Sequence, residues 1–243
     1  LEAQRLALEL AEASLGVTSP MLTSAIAKLA STELAANQPE ISLALYQRAR
    51  TLSASQPGGP GIEARDLAEV DNQIGAIQLR LGQPDAALQS FQTALAAFQN
   101  IFGPESIQVA ATLVNIAQVQ ASKRQHGQAL ATLEQARAIV GNVVGPEHLD
   151  YRKMLVMVGQ QHLAASHTVV ARDFFAQTLQ GTGPDLDPEV QGLAKFGLAQ
   201  TMVSKASERA AAIALAQQAE QLLQRAGVPD ADAVTAWLAK QRR

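Results

Sequence analysis

Four histidines are the side chains of this chain best suited to binding a metal ion, since the sequence contains no cysteine. Two histidines four residues apart lie on one face of a helix and can share a metal. His162 and His167 are five residues apart, and His126 and His167 fall in corresponding turns, where we expect solvated surface residues. We therefore predict no metal site.

Two short segments resemble ion-binding loops but have simpler interpretations. QPGGPG, residues 56–61, is rich in glycine, but its two prolines lack the amide donors that a phosphate-binding loop uses. PDLDPE, residues 184–189, carries three carboxylates, yet an EF-hand calcium loop needs a glycine and a later glutamate at set spacing. We expect Asp187 to cap a helix whose first turn holds Pro188 and Glu189.

Catalytic signatures are also missing from the sequence. It contains no Walker-type loop, no G-x-G-x-x-G, no H-E-x-x-H and no G-x-S-x-G. The sequence therefore predicts a protein that is not an enzyme and that uses no cofactor.

Composition and charge further narrow the possible classes of function. The 243 residues are 47% hydrophobic and carry a formal net charge of −3, which argues against the clustered basic surface that nucleic acid requires. The longest purely apolar run, Ala210 to Ala216, is far shorter than the ~20 residues that span a bilayer. We predict no nucleic-acid partner, no membrane partner and, from the lack of cysteine, a cytoplasmic location. The chain opens at Leu1 inside a helical pattern, so we expect it to be part of a longer protein.

A fixed interval of 42 residues runs through the sequence. The phrase GPE occurs at Gly103 and again 42 residues later at Gly145, and Gly61 stands 42 residues before the first of these. Three sets of small residues recur at this interval, and we call each set a register. A fourth register, of bulky residues, lies between the second and the third. The small registers are Gly75, Ala117 and Gly159, then Ala87, Ala129 and Ala171, then Ala94, Ala136 and Thr178, and the bulky register is Phe91, Leu133 and Phe175.

Each interval predicts two antiparallel helices. In ARDLAEVDNQIGAIQLRL, residues 64–81, apolar side chains recur at helical spacing; Gly82 then ends the helix and Pro84 opens the next one. One helix pair cannot bury its apolar faces alone, whereas stacked pairs bury one another. We predict an all-α fold, an α-solenoid that forms a right-handed superhelix of about five stacked helix pairs.

The whole chain, residues 1–243, is predicted to form a single solenoid domain. The predicted segments are the second helix of a truncated unit at 1–16, repeats at 20–55, 61–101, 104–141, 146–181 and 187–227, and a capping helix at 230–243. In GPE, we expect glycine to end one helix in the left-handed conformation, and proline and glutamate to lie in the first turn of the next helix.

The spacing of small and bulky residues resembles that of the tetratricopeptide repeat. The 42-residue period, GPE and LVNIAQV (residues 113–119) resemble the longer variant found in kinesin light chains and many bacterial proteins. The resemblance covers nearly the whole chain. It implies a concave groove, lined by the first helix of each pair, that takes a peptide or a protein segment. The family often has tyrosine three residues after the first small position, where this chain has Gln78, Gln120 and His162.

Carried over by spacing, the resemblance implies eight polar groove residues as peptide-binding candidates: Asn72, Gln73, Asn115, Gln118, Ser122, Lys153, Gln160 and Lys195. Amides donate and accept hydrogen bonds and can pair with an extended backbone. The five-residue carboxylate clamp of chaperone cochaperones in this family is matched at Asn115 and Lys153 alone, so we do not expect capture of a C-terminal carboxylate.

The function predicted from these features is a non-enzymatic scaffold for protein–protein interaction that binds a peptide or protein segment in the groove. An alternative is the sensory or regulatory part of a larger bacterial transcription regulator, kinase or peptide-pheromone receptor. We also weigh a homodimer formed through the solenoid ends, because such ends can expose apolar faces.

Overall fold

The computed structural model describes residues 1–54, 63–180 and 187–241. Within these ranges the chain consists of α-helices and two short 3-10 turns, with no strand. It divides into two compact units, Leu1–Lys123 and Arg124–Arg243. QPGGPG, the first three residues of PDLDPE, and the terminal residues 242–243 lie outside the described residues.

The first unit contains six described helices in chain order. They are α1 (Glu2–Leu15), α2 (Thr23–Ala35), α3 (Pro39–Ala54), α4 (Ala64–Arg80), α5 (Pro84–Phe102) and α6 (Ile107–Ser122), with a 3-10 turn at Pro20–Leu22. Each helix packs on the next one in sequence, and α4 also contacts α6. Consecutive packing of this kind is what the 42-residue interval predicts.

The second unit is built in the same way. Its described helices are α7 (His126–Val144), α8 (Leu149–Ala164), α9 (Thr168–Leu179), α10 (Pro188–Met202), α11 (Arg209–Ala226) and α12 (Asp230–Gln241), with a 3-10 turn at Ala206–Glu208. Each helix again packs on its successor, and α8 also contacts α10. The predicted all-α class of packed helix pairs is thus confirmed.

The glycines of the repeat lie where one helix receives an aromatic ring from another. A Cβ atom at Gly75 would lie 2.8 Å from the ring of Phe91, and one at Gly159 would lie 2.8 Å from the ring of Phe175. Both distances are shorter than real Cβ contacts, so only glycine lets these helices approach. Phe175 is fully buried and its ring also lies against Gly197, which makes it the shared contact of α8, α9 and α10.

Three of the turns between paired helices have the same backbone geometry. Each contains one residue with positive φ, namely Asn37 (61°), Gly82 (72°) and Ser166 (63°). In each turn, the amide of the following residue donates to a carbonyl five residues earlier: Gln38 to Glu33 at 2.9 Å, Gln83 to Gln78 at 2.8 Å, and His167 to His162 at 2.8 Å. This is the Schellman motif, and it fixes how the second helix of each pair leaves the first.

The Schellman geometry produces a contact that the spacing of the histidines did not predict. The hydrogen bond from the His167 amide to the His162 carbonyl holds these two residues close together. Their side chains are therefore neighbours, and Nδ1 of His162 lies 3.3 Å from Nδ1 of His167. The ring of His162 also stacks on Phe174, with ring centroids 5.4 Å apart. Burial lowers the pKa of His162 and the facing His167 lowers it further, whereas Glu134 of α7 opposes both effects.

His126 also departs from the expected solvated position. It is half-buried at the start of α7, and its Nδ1 lies 2.9 Å from Nε2 of the buried Gln161. The reason is that α7 begins at His126 itself, so the side chain belongs to a helix that packs on α8.

The predicted place of proline and glutamate in GPE is wrong. Gly103 ends α5 with a positive φ of 84°, but its ψ of 165° lies outside the left-handed helical region. An extended ψ carries the chain away from α5, so Pro104 and Glu105 form a turn ahead of α6. Ser106 is then the N-cap of α6, and its side chain accepts a hydrogen bond from the amide of Val109.

The predicted helix cap at Asp187 is confirmed. Its Oδ1 accepts hydrogen bonds from the amides of Glu189 at 3.0 Å and Val190 at 3.2 Å. Pro188 and Glu189 lie in the first turn of α10, as their sequence predicts. A capping role accounts for this carboxylate without any ion.

Replacing Gly197 with alanine should lower the free energy of unfolding by about 1–3 kcal/mol, because the new Cβ would overlap the ring of Phe175. Gly127→Ala is the matched control, since a Cβ at Gly127 in α7 meets no atom within 4 Å. That control should stabilise the helix by about 0.5–1 kcal/mol. Denaturant unfolding followed by circular dichroism measures both variants, and equal effects would contradict the close contact at Gly197.

Stability should fall as the pH drops below about 6.5, because the pKa of His162 is lower in the folded chain than its ordinary value of 6.5. Below that pH the unfolded chain takes up a proton that the folded chain resists. His162→Gln supplies the residue found at positions 78, 120 and 200, and should remove part of the loss. The loss is measured as the difference between the melting temperatures at about pH 7.5 and about pH 5. A difference in the variant as large as that of the wild-type chain would contradict the role given to His162.

Candidate functional site

Helices α4 and α6 bring two of the predicted groove residues into direct contact. Nδ2 of Asn115 donates a hydrogen bond of 3.1 Å to Oδ1 of Asn72, and both side chains are half-buried. The contact forms because α4 and α6 are the first helices of successive pairs and lie against each other. Among the described residues, Nδ2 of Asn72 and Oδ1 of Asn115 have no protein partner.

The other candidates of the first unit lie beside this pair. Gln73 is half-buried and its Nε2 donates to Glu69 at 3.3 Å, whereas Gln118 is exposed on α6. Asn72, Gln73, Asn115 and Gln118 are called the amide face below. Ser122 is exposed near the end of α6, and its hydroxyl donates to the carbonyl of Val119 at 2.7 Å. Ser122 therefore already has a partner in its own helix.

Among the described residues, no hydrogen bond or ion pair joins the candidates of the second unit to one another. Lys153 and Gln160 are exposed on α8, two helical turns apart. Lys195 of α10 is half-buried, and its Nζ donates to Oε1 of Gln218 in α11 at 2.8 Å. This ammonium group is thus directed towards the second helix of its own pair.

A cavity of about 320 Å³ opens beside the amide face, between α2, α3 and α4. Its lining consists of Ser24, Ala27 and Ser31 of α2, Tyr46 of α3, and Asp66, Glu69, Val70 and Gln73 of α4. Gln73 belongs to both the cavity and the amide face. The two features therefore form one continuous surface of the first unit.

The cavity is acidic. Asp66 and Glu69 are both exposed, and among the described residues neither carboxylate has an ion-pair partner. Tyr46 is 5% exposed and hydrogen-bonded to Ser31. Burial raises the pKa of Tyr46, the Glu69 carboxylate raises it further, and the Ser31 hydrogen bond opposes the rise. Tyr46 is thus a neutral side chain beside two negative ones.

A second cavity of the first unit is lined by arginines as well as carboxylates. It measures about 380 Å³ between α1, α2 and α3 and contains two buried or half-buried carboxylates, Glu33 and Glu12. Glu33 accepts a hydrogen bond of 2.8 Å from Nε of Arg5, and Glu12 lies 2.6 Å from Arg48. Two of the three carboxylates that line this cavity are therefore paired within the chain, and the third, Glu9, is exposed.

Sequence reasoning missed Tyr46 and Asp66 as site residues. Tyr46 occupies the bulky register of the second helix in its pair, which by itself predicts a core residue. Asp66 stands in the first turn of α4, where an acid favours the helix dipole. The available signal was the three-residue spacing of Asp66 and Glu69, which places both acids on one side of α4.

The described residues contain no cluster of three or more His, Asp or Glu side chains that could hold a metal ion. Within the same ranges, no helix combines the length and the apolar character that crossing a membrane requires.

Comparison with known proteins gives one family and several similar folds. The tetratricopeptide repeat signature matches residues 66–142 and 108–181. BtubC (BKLC) from P. vanneervenii is 17% identical with a TM-score of 0.70, over 93% of this chain and 87% of that one. A putative kinesin light chain from Podosopora anserina with nearly identical TPR-like repeats is 16% identical with a TM-score of 0.65, over 85% and 97%.

A third structure was solved with a peptide bound. The Rap conjugation gene regulator of the plasmid pLS20, in complex with the Phr* peptide, is 12% identical with a TM-score of 0.67, over 87% of this chain and 56% of that one. No curated protein sequence matches the chain. The matched signature shows that residues 66–181 are tetratricopeptide repeats, and the chain shares the α-solenoid fold of the similar structures, with helix pairs that pack consecutively.

Proposed function

We propose that the chain is a non-enzymatic interaction scaffold whose first unit binds an extended peptide or protein segment on the amide face. The observation that carries this proposal is the Asn72–Asn115 hydrogen bond, which joins two first helices and leaves one donor and one acceptor without a partner in the described part of the chain. An extended backbone offers the complementary carbonyl and amide groups. A ligand bound here would be held by main-chain hydrogen bonds and would tolerate varied side chains.

The exposed amide of Gln118 extends the face along α6. It lies three residues after Asn115, which on a helix places both side chains on neighbouring positions of one surface. The similar fold of the Rap regulator, which is described in complex with a peptide, supports a peptide as the class of ligand. We propose separately that Lys153 and Gln160, both exposed on α8, contact a peptide or protein segment on the second unit.

The regulatory alternative has a specific observation in its favour. The Rap protein is described as a conjugation gene regulator, and this chain matches 56% of its length. A sensory role would use the same amide face, because peptide binding is the input in either case. The two functions differ in what the bound peptide changes elsewhere, so sequencing the full gene separates them.

Peptides selected on this chain from a display library of random dodecapeptides should lose about tenfold in affinity in the Asn72→Ala, Asn115→Ala double variant. The loss follows from removing both groups that pair with the peptide backbone. Fluorescence anisotropy of labelled peptides measures it. Gln92→Ala, an exposed amide on α5, is the matched control and should leave the affinity unchanged. Equal affinity for the double variant and the control would exclude the amide face.

Self-association is a second candidate function, because α1 exposes an apolar face. Leu6 is 57% and Leu10 64% exposed, and Ala3 and Ala13 are exposed on the same side of the helix. Their order, small–large–large–small, reads the same in both directions. Two antiparallel copies of α1 would therefore place Leu6 opposite Leu10 and Ala3 opposite Ala13, a self-complementary contact.

Sedimentation velocity should show a dimer that dissociates in the Leu6→Gln, Leu10→Gln variant, since the exposed leucines supply the apolar contact. Val169→Gln is the matched control, because Val169 of α9 is 75% exposed and lies outside this face. A wild-type chain that sediments as a monomer at every concentration would rule out the dimer.

A further inference from the structure

We infer that the acidic cavity between α2, α3 and α4 is a specificity pocket that takes the cationic side chain of an arginine or lysine in the bound polypeptide. This inference rests on the proposed function, because the cavity shares Gln73 with the amide face. A peptide whose backbone lies on Asn72 and Asn115 would have a neighbouring side chain within reach of Asp66 and Glu69. The cavity would then decide which peptides bind.

The charges around the cavity favour a cation. Asp71, which follows Val70 in α4, lies 2.6 Å from Arg50 of α3, so this arginine is already engaged away from the cavity. Arg65 precedes Asp66 in sequence, but its guanidinium lies 6.0 Å from the ring centroid of Phe102. Two like charges on one helical face are destabilising unless a cation or solvent compensates them.

The second cavity of this unit supplies the comparison. There, two of the three lining carboxylates, Glu33 and Glu12, each pair with an arginine of the same chain, Arg5 and Arg48, and only the exposed Glu9 does not within the described ranges. In the acidic cavity, by contrast, no arginine or lysine of the described residues forms an ion pair with Asp66 or Glu69. Lys28 is exposed on α2, but it does not line the cavity and forms no ion pair with Asp66 or Glu69. The cavity thus has the carboxylates of an ion-pair site without its cation.

The uncharged lining suits the stem of a long basic side chain. Ala27 and Val70 provide apolar walls, and arginine and lysine both bury their methylene stems against such surface while the charged end meets polar groups. The hydroxyls of Ser24 and Ser31 can accept hydrogen bonds from a guanidinium or an ammonium group. An acidic side chain would instead meet two carboxylates, so the pocket also excludes acidic peptides.

The test uses the same random dodecapeptide library on the intact chain. Selected peptides should carry an arginine or lysine at one shared position, and their affinity should fall with added salt. The Asp66→Asn, Glu69→Gln double variant should weaken them about tenfold, and so should replacing that basic residue with glutamine in the peptide. Because both changes remove one ion pair, their effects should not add.

The matched control changes the charge equally at a distance from the cavity. Glu40→Gln together with Glu105→Gln removes two exposed carboxylates of the first unit that do not line it, and should leave the affinity unchanged. A loss as large in this control as in the cavity variant would overturn the inference, because it would show a general effect of net charge.

The remaining outcomes separate the pocket from the peptide-binding face. Peptides that depend on Asn72 and Asn115, carry no shared basic residue and ignore Asp66 and Glu69 would overturn the pocket and leave the proposed function standing. A library that yields no binder, or binders indifferent to both sets of variants, would overturn both.

Discussion

The structure depends on how closely two helices approach at a residue without a side chain. Phe175 is fully buried and its ring lies against Gly159 of α8 and Gly197 of α10, so one ring joins three helices. Gly75 receives Phe91 in the same way in the first unit. Ring and glycine are complementary in volume, and each fixes the position of the other. A repeat that keeps this contact can vary most of its remaining residues.

The backbone geometry of the turns is the second feature that the repeats share. It does not restrict which side chains the turns carry. Glu33, Gln78 and His162 occupy the same position of the Schellman motif in three turns between paired helices. Glu33 is buried and pairs with Arg5, Gln78 accepts a hydrogen bond of 2.8 Å from Ser90, and His162 contacts His167. The backbone hydrogen bonds are identical, so the chemistry at this position is set by whichever partner lies nearby. The repeat therefore determines where this side chain lies, but it does not determine which contacts the side chain makes.

The sequence predicted the helices and their packing because both follow from local periodicity. Apolar residues at helical spacing, Pro84 at a helix start and Gly82 at a helix end each report on a few neighbouring residues. The GPE turn was misassigned because the same three residues fit either a helix start or a free turn, and the ψ of Gly103 decides between them. The His162–His167 contact was missed because helical spacing does not describe a pair that spans a turn.

The candidate site was harder to predict because its residues come from four helices, α2, α3, α4 and α6, and most of them follow no repeat interval. Asn72 and Asn115 could be found, since they stand one residue off the repeat interval on equivalent helices. Tyr46 and Asp66 were missed, because each has an ordinary role within its own helix and lines a cavity only where α2, α3 and α4 meet. Exposed positions such as Asp66 and Glu69 contribute little to folding, so unpaired charge persists there at small cost. What distinguishes this surface is that two such charges border a cavity next to the hydrogen-bonded Asn72 and Asn115, an arrangement that stability alone does not require.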